Sequence, residues 1–417
     1  MKKKRLTRKI ADKILSFEFF LEPGSGDLSV FTSIDDHAAK ALCKFKGTAL
    51  PLNGVTNLSV EVAGKLRWVR SESLILNGLI SLSDGVADEL SQFKGQSLSL
   101  NGVTSLSNAA AESLRRFSGK ELRLNGLTTL SDAAAESLGQ FSGEVLSLNA
   151  VTSLSNAAVE SLGRFAGKEL SLNAVTNLSD TAAEILSQFA GKQLSLDGLA
   201  NLSDAAAAAL LKFEGYALSV KSLTDLSEET AEDVSKSKMK KIEFDALDGL
   251  SDAVAEKLSQ FPGNSLTITV RILSDSAAES LSNFKGEELT FDVIRSMTAE
   301  AADGLSKFKG RTLELRSGND GLILSDEAMA SLSRFAGRSL LFRGLMSLSE
   351  IAAENLSQFQ GGELWLGGLK EIWEEIVLSD AAAESLCQFE GDLWLNLNGV
   401  PESAQSILCK HPSFTNW

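Results

Sequence analysis

The residues best suited to chemistry in this 417-residue chain are two histidines, His37 and His411, and three cysteines, Cys43, Cys387 and Cys409. Nucleophilic catalysis needs a thiol or hydroxyl within reach of a base that a third group orients. Here the histidines stand near opposite ends of the sequence, and no interior imidazole can serve as that base. Cys43 and Cys387 hold equivalent positions in segments too far apart to meet, and no CxxC, P-loop, GxGxxG or HExxH occurs. Glu112, Glu136, Glu160 and Glu184 recur one per segment. That spacing suits an acidic column in the first half of each helix, where it complements the helix dipole; a metal site needs convergent carboxylates. No catalytic, metal or cofactor site is expected. Three scattered cysteines make no disulfide framework and point to a reducing compartment.

A second kind of chemistry is recognition by large aromatic side chains. Four of the five tryptophans lie beyond residue 364: Trp365, Trp373, Trp394 and Trp417. Tryptophan is enriched where interfaces concentrate their binding energy. Whether these residues converge depends on the elements that carry them.

Those elements repeat. "LSLNGVTSLSNAAAESLRRFSGKE" from Leu98 is followed by "LRLNGLTTLSDAAAESLGQFSGEV" from Leu122 and "LSLNAVTSLSNAAVESLGRFAGKE" from Leu146. Phe recurs at 93, 117, 141, 165, 189 and 213, and the column extends from Phe45 to Phe389. Leu122 and Leu124, two apart, fall on one face of a short strand. Asn-Gly or Asn-Ala then turns the chain, and Leu127 and Leu130 point back into a core. Ser-Asp or Ser-Asn offers a side-chain oxygen to cap a helix. Ala134, Leu138 and Phe141 fall on one helical face, and Gly143 is expected to end the helix in the left-handed conformation. A helix of about ten residues is marginal alone, so the units are stabilised by stacking on one another.

The pattern resembles the leucine-rich repeat family, in its "LxLxxCxxITD" variety. Leu122 and Leu124 match the strand leucines, Leu130 the isoleucine, Ser131 and Asp132 the Thr-Asp pair, and Leu138 the helical leucine. Two departures stand out: Val103, Leu127 or Val151 fills the usual Cys or Asn slot, and Gly95, Gly119 or Gly143 opens the unit where Leu is common. The variant looks like divergent bacterial repeats. The resemblance covers residues 28–400 and implies an α/β solenoid of about 16 repeats, with a parallel sheet on a concave face and short helices on the convex one. Members of the family mostly bind other proteins, and no family site transfers residue by residue.

The organisation follows: residues 1–27 as an N-terminal capping helix (Ile10, Ile14, Phe17) and link, 28–400 as the repeat solenoid, 401–417 as a C-terminal cap and tail. The basic start, Lys2 to Arg5, also suits an amphipathic membrane anchor. It lacks the apolar core and cleavage site of a signal peptide, and no apolar run is long enough to span a bilayer. A cytoplasmic location is expected, with delivery to another cell left open. Two defects interrupt the pattern. Val69 replaces one Phe, and "SKSKMKK" removes both Phe and Gly while grouping Lys236, Lys238, Lys240 and Lys241, as a solvated helix end or a docking spot for an acidic partner. "RSGNDGLIL" (Arg316–Leu324) and "GGLKEIWEEIVL" (Gly367–Leu378) are insertions just after strands.

The residue between each pair of apolar strand positions faces outward: Ile75, Ser99, Arg123, Ser147, Ser171, Ser195, Ser219, Glu243, Thr267, Thr290, Glu314, Leu341, Trp365, Trp394. Neighbouring strands lie about 5 Å apart, so Trp365 and Trp394 should touch. Leu341, Trp365, Trp373 and Trp394 are therefore the candidate partner-binding residues, unless the tail to Trp417 folds over them. Asn53 to Asn173 and Asp197 form a column read as a structural ladder. A formal charge of −15 argues against nucleic acid. The expected function is a non-enzymatic, monomeric protein-interaction scaffold; the alternative is a secreted or injected effector that uses the repeats to choose a target.

Overall fold

The computed structural model describes residues 4–16, 28–200, 202–221, 226–244, 247, 249–318, 321–367, 377–397 and 400–414. The chain divides into two compact units, Met1–Ser219 and Val220–Trp417. Each is built as a leucine-rich-repeat solenoid, in which strands pair in parallel in chain order and a short helix follows each strand.

In the first unit the strands run from Ala49–Pro51 to Ala217–Ser219, each in unbroken register with its neighbours. They are three residues long, and in most of them an Asn-Gly, Asn-Ala or Asp-Gly turn follows after one further residue. Leu98, Leu100, Val103, Ala110, Ala111 and Leu114 of one repeat are all fully buried. Leu130, expected in the core, is only half-buried, as is its counterpart Leu106.

Polar side chains tie successive repeats together. Ser131 caps the helix Asp132–Gly139 by accepting from Ala134 N–H at 3.2 Å, and its own Oγ donates to Asn108 Oδ1 of the preceding repeat at 2.7 Å. Ser155 and Ser203 donate to Asp132 and Asp180 in the same way, each at 2.5 Å. The Asn column is the ladder its spacing predicts, but it runs from side chain to backbone. Asn101 Oδ1 accepts from Asn125 N–H at 3.1 Å, Asn125 from Asn149 N–H at 3.1 Å, and Asn173 from Asp197 N–H at 3.3 Å.

The phenylalanines Phe93 to Phe213 form a stack with centroids 6.1–6.3 Å apart and planes within 10°. The stack corrects the expectation for the glycines. Among the described residues only Gly321 and Gly344 are glycines with positive φ, and the helix before Gly143 already ends at Gln140. Gly143 is small because a β-carbon there would lie 2.2 Å from Phe141 Cζ and 2.7 Å from Lys120 O. Where Val69 replaces Phe, Ser71 replaces Gly and is buried.

The start of the chain also departs from expectation. Leu28–Val30, where the alternation of Leu28 and Val30 suggests the first strand of the solenoid, is a 3-10 turn. Phe31–Ile34 forms a strand instead, paired with Lys4–Leu6, because Leu6, Ala11 and Ile34 are the side chains that can be buried there. The helix Arg8–Ser16 forms as predicted; Ala11 is fully buried in it, whereas Ile10 is only half-buried. Phe17 lies outside the described residues, as does the Ile14 side chain.

In the second unit the strands lengthen to five residues: Ser265–Thr269, Glu288–Asp292, Thr312–Arg316, Ser339–Arg343 and Glu363–Gly367. They lie between Lys241–Phe244 and the edge strand Asp392–Leu395. No Asn-Gly turn stops them. Within this unit the defect at "SKSKM" buries both Ser237 and Met239, and Ser237 Oγ has no hydrogen-bond partner among the described residues. From Phe261 to Phe389 the ring stack repeats at 6.0–6.3 Å. The imidazole of His411 ends it, 6.5 Å from Phe389 and nearly parallel to it. His411 is 1% exposed; its Nε2 lies 2.9 Å from Phe389 O, and its Nδ1 accepts from Ser413 N–H at 3.1 Å, which makes Nε2 the protonated nitrogen. Ser413 Oγ accepts from Leu393 N–H at 2.9 Å and so occupies part of the last strand's free edge.

Candidate binding surface

The longer strands of the second unit give its sheet two outward rows that matter here. The first is Glu243, Thr267, Thr290, Glu314, Leu341, Trp365 and Trp394, in direct register from strand to strand. The alternation in the sequence places every one of these. The second row is Thr269, Asp292, Arg316, Arg343 and Gly367. A 24-residue template built on the short first-unit strands misses this row. The signal was there in "FDV", "LRS" and "FRG", where the Asn turn is replaced and the alternation runs on for one more residue.

Trp365 and Trp394 stack, as their register requires, with centroids 5.4 Å apart and planes 17° apart. Arg343 lies over Trp365 with its guanidinium carbon 4.9 Å from the ring centroid, a favourable cation–π distance. Gly367 lets the indole lie down on the sheet, since a β-carbon there would sit 2.7 Å from Trp365 Nε1. Leu341 and Trp365 are half-buried. Trp394, on the edge strand, remains 49% exposed. The described part of the tail closes the end of the core through His411 and Ser413 and leaves Trp394 open. Trp373 and Trp417 lie outside the described residues.

Beside the indoles is a charge network. Glu314, 5% exposed, is held by Arg316 at 2.8 Å and by Arg343. Burial works to raise the Glu314 carboxyl, but hydrogen bonds and charge from Arg316 and Arg343 more than offset it and hold it below the ordinary range. Arg343 is thus fixed from two sides, by a carboxylate and by an indole. Asp292 is held less well. Its contact with Arg316 is 3.5 Å, and burial raises its carboxyl above the ordinary range, with the nearby Glu314 charge adding to the rise and Arg316 opposing it.

The other sequence candidates are not assembled into sites. Cys43 and Cys387 donate to the carbonyls of Lys65 and Ile407, each at 3.3 Å, and burial pushes both thiols up, away from the thiolate a nucleophile requires. Glu112 pairs with Arg115 and Glu160 with Arg164 on the helix surface, and no group of three metal-binding side chains occurs among the described residues. In the lysine cluster, Lys236 pairs with Glu232 and Lys241 with Glu243, both at 2.7 Å. Among the described residues no helix is long and apolar enough to cross a membrane.

No family model matches the chain, and no curated protein does. Solved structures are similar in outline. An internalin from Listeria monocytogenes is 17% identical, with 92% of this chain and 93% of that one covered and a TM-score of 0.43. The receptor chain of a TLR13–ssRNA13 complex is 15% identical, with 88% and 58% covered and a TM-score of 0.48. The leucine-rich-repeat fold stands on the strand register and the strand–helix order described above.

Proposed function

We propose that this chain is a non-enzymatic scaffold that binds a protein partner on the sheet face of its C-terminal unit, centred on Leu341, Trp365 and Trp394. One observation carries the reading. Trp394 keeps half of its surface in solvent while its neighbour is locked between it and Arg343. A rigid, stacked indole exposed beside fixed charges is the kind of anchor on which interfaces concentrate their energy, and its rotamer freedom is already lost before a partner arrives. The chain acts as a monomer in a reducing compartment such as the cytoplasm. Its formal charge of −15 disfavours nucleic acid as the ligand.

Affinity capture with the wild-type chain and with the Trp365→Ala, Trp394→Ala double variant tests this. The expected outcome is a protein retained by the first and lost from the second, with unchanged far-ultraviolet circular dichroism. Equal retention of every bound protein by both would refute the assignment.

A further inference from the structure

Resting on that reading, we propose that Trp394 and Asp392 together take an arginine side chain from a basic segment of the partner. The chain shows the same chemistry one strand further in. There a guanidinium, Arg343, lies over an indole, Trp365, and is tied to a carboxylate, Glu314. One strand outward Trp394 continues the row of Trp365 and shares its strand with a carboxylate, Asp392, and among the described residues no guanidinium lies over it.

The geometry is specific. Trp365 is covered on both faces, by Arg343 and by Trp394. Among the described residues Trp394 stacks on one ring, that of Trp365, and its strand is the last of its sheet. Asp392 and Trp394 are two residues apart on this strand, so their side chains leave the same face about 7 Å apart. An arginine whose guanidinium lies over the indole can reach the carboxylate with the same planar group. Asp392 is exposed and makes no ion pair with another described residue. Its in-register neighbour Glu363 is already engaged by Arg338 at 2.7 Å and by Ser339 at 2.7 Å.

Charge points the same way. Asp292 and Glu314 are matched by Arg316 and Arg343, and Glu363 by Arg338, which leaves Asp392 as the carboxylate beside Trp394 with no ion pair to a described residue, on a chain that is acidic overall. A basic segment would be steered towards this face and an acidic one repelled. Docking by strand addition is disfavoured, because Ser413 already takes Leu393 N–H on the free edge. Recognition therefore falls to side chains on the face.

The test uses the full chain carrying Trp68→Phe, which removes the exposed indole of the other unit. The probe is the peptide acetyl-Gly-Ser-Arg-Gly-Arg-Ser-Gly-amide, followed by tryptophan fluorescence. Two counter-probes carry citrulline or leucine in place of each arginine. The expected result is saturable quenching by the arginine peptide and binding at least about fivefold weaker with citrulline. Trp394→Leu and Asp392→Asn should each weaken arginine binding several-fold, with the circular dichroism spectrum unchanged. Equal binding of arginine and citrulline peptides, or no loss in Trp394→Leu, overturns the proposal. So does a failure of the arginine peptide to bind at all. If the leucine peptide binds best and Trp394→Leu abolishes that, the arginine assignment falls while the binding surface itself stands.

Discussion

The ring of Phe141 occupies the space in which a side chain at Gly143 would begin, since a β-carbon there would meet Phe141 Cζ at 2.2 Å. The two positions vary as a pair, as Val69 with Ser71 in one repeat and Ser237 with Met239 in another. Gly143→Ser should therefore cost about 1–3 kcal/mol through overpacking, and appreciably less in a Phe141→Val background. A double-mutant cycle on urea midpoints checks this. A coupling energy indistinguishable from zero would mean that the pairing is accidental.

The asparagine ladder makes a separate claim. Asn125→Ala leaves the Asn149 N–H without its acceptor and should cost about 1–2 kcal/mol. Asn125→Asp should cost less than half of that, because Asp197 fills the equivalent place and accepts from Ser219 Oγ at 2.5 Å. Urea unfolding of the three proteins side by side decides it; equal losses in both variants would show that the amide matters for something other than its acceptor oxygen.

Glu314 and Asp292 should respond to pH in opposite directions. The Glu314 carboxyl is held below its ordinary value of 4.5 in the folded chain. The stability it contributes is complete above 4.5 and is lost as pH falls through the lower folded value. Glu314→Gln should cost about 1–3 kcal/mol at neutral pH, and less with increasing acidity. Asp292 is raised above its ordinary value of 3.8, so its ionised form carries a penalty that develops as pH rises through the folded value. Asp292→Asn should then stabilise the chain at neutral pH and lose that advantage towards pH 3.8. Thermal melts across this range would contradict both assignments if the two variants moved in the same direction.

Exposure of Trp394 can be read directly. Starting from Trp68→Phe, which removes a residue 58% exposed in the other unit, the further change Trp394→Phe should sharply reduce the fraction of fluorescence quenched by iodide. The change Trp365→Phe should reduce it less, since Arg343 and Trp394 cover that ring. An unchanged quenchable fraction in the Trp394 variant would mean that this indole is covered in solution.

The repeat period, the burial of Leu98, Leu100 and Phe117, and the meeting of Trp365 with Trp394 are all legible in the sequence. Each follows from a periodicity that stacking enforces on every copy. Arg316, Arg343 and Asp292 were not legible as neighbours. Their row exists only where the strands outlast the three-residue template, and strand length is set by the turn that is absent rather than by any residue present. The glycines mislead for another reason. A Gly after a helix suggests a backbone turn, whereas here its cause is a ring two residues earlier that lies beneath it. His411 reads as an isolated imidazole until the fold places it at the end of the phenylalanine stack.

The bonds that tie Ser131 to Asn108, Ser155 to Asp132 and Asn125 to Asn149 all reach across one repeat, 23 or 24 residues along the chain. A duplication or loss of one whole block would therefore leave every donor facing an acceptor of the same kind. The near-identical stretch from Leu98 to Phe213 can be lengthened or shortened in inheritance without any new interaction having to arise. The number of repeats in this stretch is then free to drift, whereas the face beyond it, where no two strands are alike, would not survive the same exchange of blocks unchanged.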